Sequence, residues 1–148
     1  MISKKTKYAL KALMDLTDEY KRKEPVLISK IASRNHIPKK FLELILLQLK
    51  NKGFLMSKKG KGGGYLLAKS PKNISLGEVL RLLEGPLAPL SCLSRSAYRK
   101  CEECRDETAC GLRSVMREVQ EATNGILDKT SLEDMMNRAR QAEMMYFI

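Results

Sequence analysis

The sequence predicts a mainly α-helical fold with one small β-hairpin, and three observations support this. Apolar residues recur three and four positions apart over most of the 148-residue chain, which is the periodicity of amphipathic helices. One glycine-rich segment, "FLMSKKGKGGGYLLAKS", has β-type runs on either side of a lysine-bearing tip. This hairpin directly follows two short helices separated by the turn "NHIP". Together these elements predict a winged helix-turn-helix domain, and a long later helix is the candidate dimerisation helix.

Apolar periodicity and the positions of the prolines predict the first three helices. Apolar spacing predicts a first helix over 4–20, and Pro25 ends the segment that follows. A short second helix is expected in "LISKIASRNHI", with His36, the only histidine, placed in the turn after it rather than at a metal site. The third helix should begin at Pro38 and close at Gly53. The residues expected to face the core from this helix are Phe41, Leu42, Ile45 and Leu49.

The glycine-rich segment after the third helix predicts a wing. Strands over Phe54–Ser57 and Tyr65–Ala68 can pair antiparallel, with three lysines displayed between them. A nucleotide-binding loop is the competing interpretation, but Tyr65 stands where the third glycine would be required, and no Lys-Ser/Thr pair opens a helix. Lysines and backbone N–H groups on such a tip suit phosphate contacts.

The sequence of the second half predicts four more segments, three helices and one loop. "SLGEVLRLLEGP" is a helix ended by Gly85 and Pro86, residues 86–110 lack periodicity, and "SLEDMMNRARQAEMMYFI" gives a last short helix. Between residues 86–110 and the last helix runs an apolar stripe that packs either within the chain or against a second subunit. As a dimer interface, this stripe would consist of Leu112, Val115, Met116, Val119, Thr123 and Ile126. We therefore divide the chain by function into 1–85, a loop over 86–111, and 112–148.

The charge distribution indicates a polyanionic partner. The net charge is +11, but residues 1–75 carry 18 basic and 5 acidic side chains, whereas residues 76–148 carry 10 and 12. Such asymmetry favours nucleic acid over anionic lipid, because no basic amphipathic helix with bulky aromatic residues is present. Without a long apolar run or a secretory leader, the sequence predicts a cytoplasmic protein with no membrane partner. No catalytic constellation is recognisable, so we do not expect an enzyme.

All four cysteines lie within nineteen residues, at Cys92, Cys101, Cys104 and Cys110. In a reducing compartment such clusters favour metal or redox chemistry over structural disulfides. Four thiolates saturate a 2Fe–2S or 4Fe–4S cluster, and basic neighbours such as Arg105 would offset their charge. Tetrahedral zinc, a redox dithiol at Cys101 and Cys104, and no function at all remain open alternatives.

Several segments together resemble the Rrf-two family of bacterial winged-helix transcriptional regulators. They are "SKKTKYALKALMDL", "IASRNHIPKKFLELILLQLKNKGFL", "KGGGYLLAKSPKNISLGEVLRLLEGP" and "ILDKTSLEDM", and they cover nearly the whole chain. The resemblance implies a homodimer that binds palindromic, double-stranded operator DNA. Some members carry an iron–sulfur cluster on three loop cysteines before the dimerisation helix. Others have no cluster, and one mode of regulation in the family is the binding of another protein.

The resemblance assigns roles to individual cysteines. Cys92, Cys104 and Cys110 match the three ligands of the family, whereas Cys101 has no counterpart there. Arg113 stands where some members have a histidine ligand, and Lys7 stands where others have an aspartate. Because neither cation is a plausible ligand for iron, Cys101 is the candidate fourth ligand.

The resemblance also indicates a DNA-binding surface on the third helix and the wing. On the helix, Lys40 suits a phosphate or guanine, Glu43 suits cytosine N4, and Leu44 suits a thymine methyl group. The alternative is that Leu44 and Leu47 pack on the first helix or on a neighbour. The candidate DNA-binding residues are Lys39, Lys40, Glu43, Leu44, Lys58, Lys59, Lys61, Gly62 and Gly63.

Overall fold

The computed structural model describes residues 2–147, and it confirms the predicted fold class. Within these residues there are six α-helices and one antiparallel pair of strands. In chain order they are α1 (Lys4–Asp18), α2 (Ile28–Asn35), α3 (Lys39–Asn51), β1 (Leu55–Lys58), β2 (Gly64–Leu67), α4 (Leu76–Glu84), α5 (Gly111–Lys129) and α6 (Leu132–Tyr146). Short 3-10 turns cover 20–22, 71–73, 91–93 and 107–109.

The chain forms two compact units. The first unit combines the residues up to Ser75 with those from Ser131 onward, and the second runs from Leu76 to Thr130. The first therefore contains the helix-turn-helix, the hairpin and α6, whereas the second contains α4, the cysteine loop and α5. These units are defined by packing, so the functional division into 1–85, 86–111 and 112–148 stays a prediction.

The core of the first unit lies between α1, α2, α3 and the hairpin. Leu13 and Leu16 of α1 are buried there together with the inner face of α3. The last helix, α6, packs against α1, and Leu132 at its start is fully buried. A capping box fixes this start, because Ser131 accepts from the Asp134 N–H and Asp134 accepts from the Ser131 N–H. With 15 residues, α6 is longer than the short last helix that we expected.

The hairpin pairs Leu55 with Leu67 and Lys58 with Gly64, and a third segment joins it through Val26. Val26 and Tyr65 exchange two backbone hydrogen bonds, at 2.8 Å and 2.9 Å. Gly64 has a φ of +145°, and an added Cβ would lie 2.2 Å from the Val26 carbonyl oxygen. Both strands are displaced by one residue from the prediction. The Phe54 N–H donates to the Leu49 carbonyl at the end of α3, so β1 begins one residue later, at Leu55. At the other strand, the backbone of Gly64 pairs as well, so β2 begins one residue earlier.

The burial pattern of α3 corrects one predicted core residue. Leu42, Ile45, Leu46 and Leu49 are fully buried, as the 3.6-residue period requires. The prediction that Phe41 faces the core is wrong, because this side chain is 37% exposed. It lies at the edge of the buried stripe and makes an edge-to-face contact with Tyr8, with the ring centroids 5.7 Å apart. Leu46, which the sequence reasoning omitted, occupies the core position.

Candidate nucleic-acid interface and cysteine loop

The turn between α2 and α3 is anchored to the core and fixes the start of α3. His36 ends α2 in the left-handed conformation, with a φ of 53°, and its side chain is exposed in the turn as predicted. The Ile37 N–H donates to the Ala32 carbonyl at 3.0 Å, and the Ile37 side chain is buried. Pro38 caps α3 rather than forming its first residue. The turn is therefore anchored to the core, and the outer face of α3 is left to solvent.

That outer face contains all four candidate DNA-binding residues of α3. Lys39, Lys40 and Glu43 are exposed, and Leu44 is 66% exposed. Leu47 is exposed on the same helix. The high exposure of Leu44 and Leu47 argues against the alternative that both pack on the first helix. Two lysines, one carboxylate and two apolar side chains then form a mixed surface, which suits base edges as well as phosphates.

The wing tip displays its lysines on a backbone that requires glycine. Lys58, Lys59 and Lys61 are exposed. Gly60 and Gly62 have φ values of 89° and 76°, in the left-handed region. Gly63 is buried, its N–H donates to the Gly60 carbonyl at 3.0 Å, and an added Cβ would lie 2.2 Å from the Lys58 carbonyl oxygen. Gly62 thus lies at the surface, whereas Gly63 shapes the tip from below.

A groove beside the wing adds basic residues that the sequence reasoning missed. It has a volume of about 510 Å³, and its walls include Lys58 and Gly62 of the tip together with Arg22, Lys23 and Lys30. Glu19 and Glu24 also line it. The lysine excess of the first half pointed to such a surface, but only the fold brings residues this far apart in sequence to the same groove.

The four cysteines lie in four different local settings within the second unit, and all are free thiols. Cys92 is buried in the 3-10 turn over Ser91–Leu93, and Cys101 is exposed. Cys104 and Cys110 are half-buried. The Cys104 N–H donates to the Cys101 carbonyl at 3.0 Å, so these two residues are the first and last residues of one tight turn. Cys110 is the N-cap of α5, and its sulfur accepts from the Arg113 N–H at 3.4 Å.

Burial, hydrogen bonds and charges in the loop shift the pKa values of its titratable groups in opposite directions. Burial raises the pKa of the Cys104 thiol, and Glu107 and the neighbouring thiols add to this, whereas Lys100 opposes it. The Tyr98 hydroxyl donates to Glu107, and this hydrogen bond raises the pKa of Tyr98. Hydrogen bonds from Thr108 lower the pKa of Asp106. The loop is therefore ordered by side-chain hydrogen bonds of its own.

The donor chemistry of these residues suits a metal or a cluster, but their placement does not. As donors, four free thiols in one loop suit iron–sulfur or zinc chemistry. Their placement does not, because among residues 2–147 no three His, Cys, Asp or Glu side chains lie close enough together to hold a metal ion. Arg113 contacts the Cys92 carbonyl at 3.4 Å and approaches Glu107 at 4.0 Å. It thus ties parts of the loop together.

The predicted dimer stripe on α5 is largely exposed. Leu112 is 61% and Ile126 is 63% exposed, and Val115, Val119 and Thr123 are exposed as well, with Met116 half-buried. No residue of α5 is fully buried within the described chain. The helix therefore has a face that can accept another surface. In the same described part of the chain, no helix has the length and apolar character that spanning a membrane would require.

Comparisons with known proteins agree with the fold. The Rrf2 family model, described as an iron-dependent transcriptional regulator, matches residues 2–138. An rrf2-like HTH-type transcriptional regulator of Rhodobacter capsulatus is 49% identical over 138 residues, covering 92% of each chain. The regulator CymR of Bacillus subtilis is 29% identical over 149 residues, covering 99% of both chains.

Solved structures give the same result. The structure of CymR, the global cysteine regulator of B. subtilis, superposes with a TM-score of 0.77 at 28% identity and covers 93% of this chain and 97% of its own. The structure of T. potens IscR gives a TM-score of 0.73 at 28% identity and covers 96% and 90%. With a family model over nearly its whole length and regulators as relatives, the chain belongs to the Rrf2 family of DNA-binding transcriptional regulators.

Proposed function

We propose that this protein is a homodimeric regulator that binds operator DNA and senses iron–sulfur, redox or nitric oxide status through its cysteine loop. The observation that carries the proposal is the position of the loop. The last of its four free thiols belongs to Cys110. Cys110 is also the N-cap of α5, the helix with the exposed apolar face. A chemical change at these thiols would therefore act directly on the start of the candidate dimerisation helix.

The DNA-binding half of the proposal rests on α3 and the wing. Lys40 would contact a phosphate or guanine, Glu43 would accept from cytosine N4, and Leu44 would contact a thymine methyl group. Lys39 and the three wing lysines would neutralise phosphates, and Gly62 would allow close approach of the backbone. In support, all of these residues are exposed and belong to the unit that holds the helix-turn-helix.

The homodimer is proposed from the α5 stripe. Its apolar residues recur every three or four positions over a helix of 19 residues. Covering such a face removes apolar surface from water, at about 25 cal/mol per Å². A second copy of the same helix is the simplest cover, because a two-fold dimer buries the same patch on both subunits.

For the cluster, Cys92, Cys104 and Cys110 would be ligands, with Cys101 as the fourth. A bound 2Fe–2S or 4Fe–4S cluster would supply redox-active iron and would tie the loop to the start of α5. Because the four thiols do not converge, the loop must change conformation to gather them. The relatives named IscR and the iron-dependent description of the family support this assignment.

The test is anaerobic reconstitution with iron and sulfide, followed by operator binding of the loaded and metal-free proteins. We expect Cys→Ala changes at Cys92, Cys104 and Cys110 to abolish visible absorption, and Cys101→Ala to have the mildest effect. A coupling of about 1–3 kcal/mol would change operator affinity about 5- to 150-fold between the two forms. Equal affinities would remove the sensing role, and a colourless protein after reconstitution would remove the cluster.

A second candidate is a regulator that is zinc-stabilised or cofactor-free and responds to a protein or small-molecule partner. The separate settings of the four thiols favour its cofactor-free form, as does similarity to CymR over 99% of the chain. Metal analysis of anaerobically purified protein distinguishes the two candidates. One zinc per chain without visible bands, or no metal at all, supports the second, whereas iron with acid-labile sulfide supports the first.

A further inference from the structure

Cys101 and Cys104 are joined by a feature that the other two cysteines lack. They are the first and last residues of one tight turn, closed by the 3.0 Å hydrogen bond from the Cys104 N–H to the Cys101 carbonyl. In such a turn the two end Cα atoms lie within about 7 Å of each other. A disulfide needs a Cα separation of about 4.4–6.8 Å. The backbone is therefore already close to the spacing that a bond between these two sulfurs requires.

The other thiols are less available for pairing. Cys92 is buried in a separate 3-10 turn. The sulfur of Cys110 accepts a hydrogen bond at the start of α5. Cys101, by contrast, is exposed, so that an oxidant in solution reaches it directly. Only two residues separate Cys101 from Cys104, and closing so short a loop costs little chain entropy.

We infer that Cys101 and Cys104 form a modification site, a reversible disulfide made by hydroperoxides in the metal-free protein. The Cys101 thiolate attacks the peroxide O–O bond, which gives a sulfenic acid and expels hydroxide, or an alkoxide from an organic hydroperoxide, and a solvent proton converts it to water or an alcohol. The Cys104 thiolate then displaces the sulfenic oxygen, which leaves as a second water. Two thiols are oxidised by two electrons in total, and the peroxide is reduced. A small thiol reverses the change by disulfide exchange.

This chemistry adds a second state to the same loop. This step rests on the proposed function: the disulfide would occupy two of the four thiols that we assign to the cluster. The oxidised and cluster-bound forms would then exclude each other, and the loop would accept a cluster only after reduction. The extra cysteine, Cys101, thereby gains a role even in the absence of metal.

The sequence around the turn makes the test direct. Trypsin cleaves after Lys100 and Arg105 and releases the peptide 101–105, "CEECR", which contains both cysteines and no other. Cys92 and Cys110 fall in the separate peptides 82–95 and 106–113. A bond within the turn therefore appears as one short peptide lighter by about 2 Da, whereas any other pairing links two peptides.

The experiment uses the full chain, kept metal-free with a chelator, treated with equimolar hydrogen peroxide and blocked with N-ethylmaleimide before digestion. We expect the 2 Da loss in peptide 101–105 and its reversal by dithiothreitol. Cys92→Ser is the matched control and should keep the loss, whereas Cys101→Ser should abolish it. Circular dichroism should show that both variants keep the helical content of the parent.

Two results would overturn the inference: a disulfide that links two different tryptic peptides, or irreversible oxidation of Cys101 with Cys104 still free. Both are read on metal-free protein, so they are independent of whether a cluster binds. Mutual exclusion has its own readout, which is iron uptake by the oxidised protein during reconstitution. We expect almost none before dithiothreitol is added, and uptake equal to that of the reduced protein would refute it.

Discussion

The guanidinium of Arg81 on α4 donates two hydrogen bonds to the carboxylate of Asp128 on α5, at 2.6 Å and 3.1 Å. Gly77 makes room for this pair, because a Cβ added there would lie 2.1 Å from an oxygen of Asp128. The hydrogen bond that Arg81 donates to Asp128 also raises the pKa of Arg81. Within the second unit, this two-point contact fixes α4 against the helix that carries the candidate dimer stripe.

A double-mutant cycle with Arg81→Ala and Asp128→Ala measures the strength of this contact. The two side chains are 39% and 48% exposed, so water and salt screen the pair. We expect a coupling of about 0.5–1 kcal/mol from urea unfolding of the single and double variants. A coupling near zero would mean that packing, not the ion pair, holds the two helices together.

Replacing Lys58, Lys59 and Lys61 together with alanine should weaken specific and random DNA about equally. Because these residues are expected to contact phosphates, the salt dependence of binding should flatten by roughly one unit per lost contact. The matched control is the triple alanine variant of Lys72, Lys129 and Arg138, which removes the same charge outside the wing. Selective loss on one sequence, with the salt dependence intact, would contradict a phosphate-binding role.

Val119→Asp should produce monomers with weak operator affinity. The change would bury a carboxylate in the apolar interface proposed for α5, and an unpaired buried charge is strongly unfavourable. Light scattering at micromolar concentration measures the oligomeric state. Ser114→Asp adds the same charge at an exposed position on the opposite side of the helix and should leave the dimer intact. If the Val119 variant also remained dimeric, the interface would have to lie elsewhere.

Acid should loosen the start of α6. Hydrogen bonds from Ser131 lower the pKa of Asp134, so its stabilising effect is present above the unfolded value of about 3.9. This contribution is lost as the pH falls through the lower, folded-state pKa. Amide hydrogen exchange of residues 132–135 should therefore increase, relative to that of α1, below about pH 4. In Asp134→Asn this part of the pH dependence should disappear, and an unchanged profile would rule out the carboxylate as its cause.

The sequence allowed prediction of those elements whose cause is local. The glycine-rich tip, the turn at His36 and the apolar period of α5 each depend on neighbouring residues, and each appears in the structure. Phe41 was misassigned because two residues at the edge of a helical stripe differ in burial only through their tertiary neighbours. The basic groove with Lys23 and Lys30 could not be predicted from spacing, because it is formed by segments distant in sequence.

For the cysteine loop, residue spacing in the sequence predicts even less of the structure. Spacing placed the four thiols in one segment, which the structure also has. Whether their sulfurs meet depends on loop backbone conformation, and among residues 2–147 no three potential ligands converge. The tight turn from Cys101 to Cys104 joins the two residues whose spacing had suggested a redox dithiol.

The order in which the chain leaves and re-enters the first unit has a consequence for its synthesis. Ser75 and Ser131 form a bridge across 55 intervening residues, and the Leu132 N–H donates to the Ile74 carbonyl at 3.0 Å. Leu132 is fully buried in the unit that holds the helix-turn-helix. A nascent chain cannot complete this core until the whole cysteine loop has left the ribosome. The thiols are therefore exposed to cellular iron and oxidants before the DNA-binding unit has finished folding.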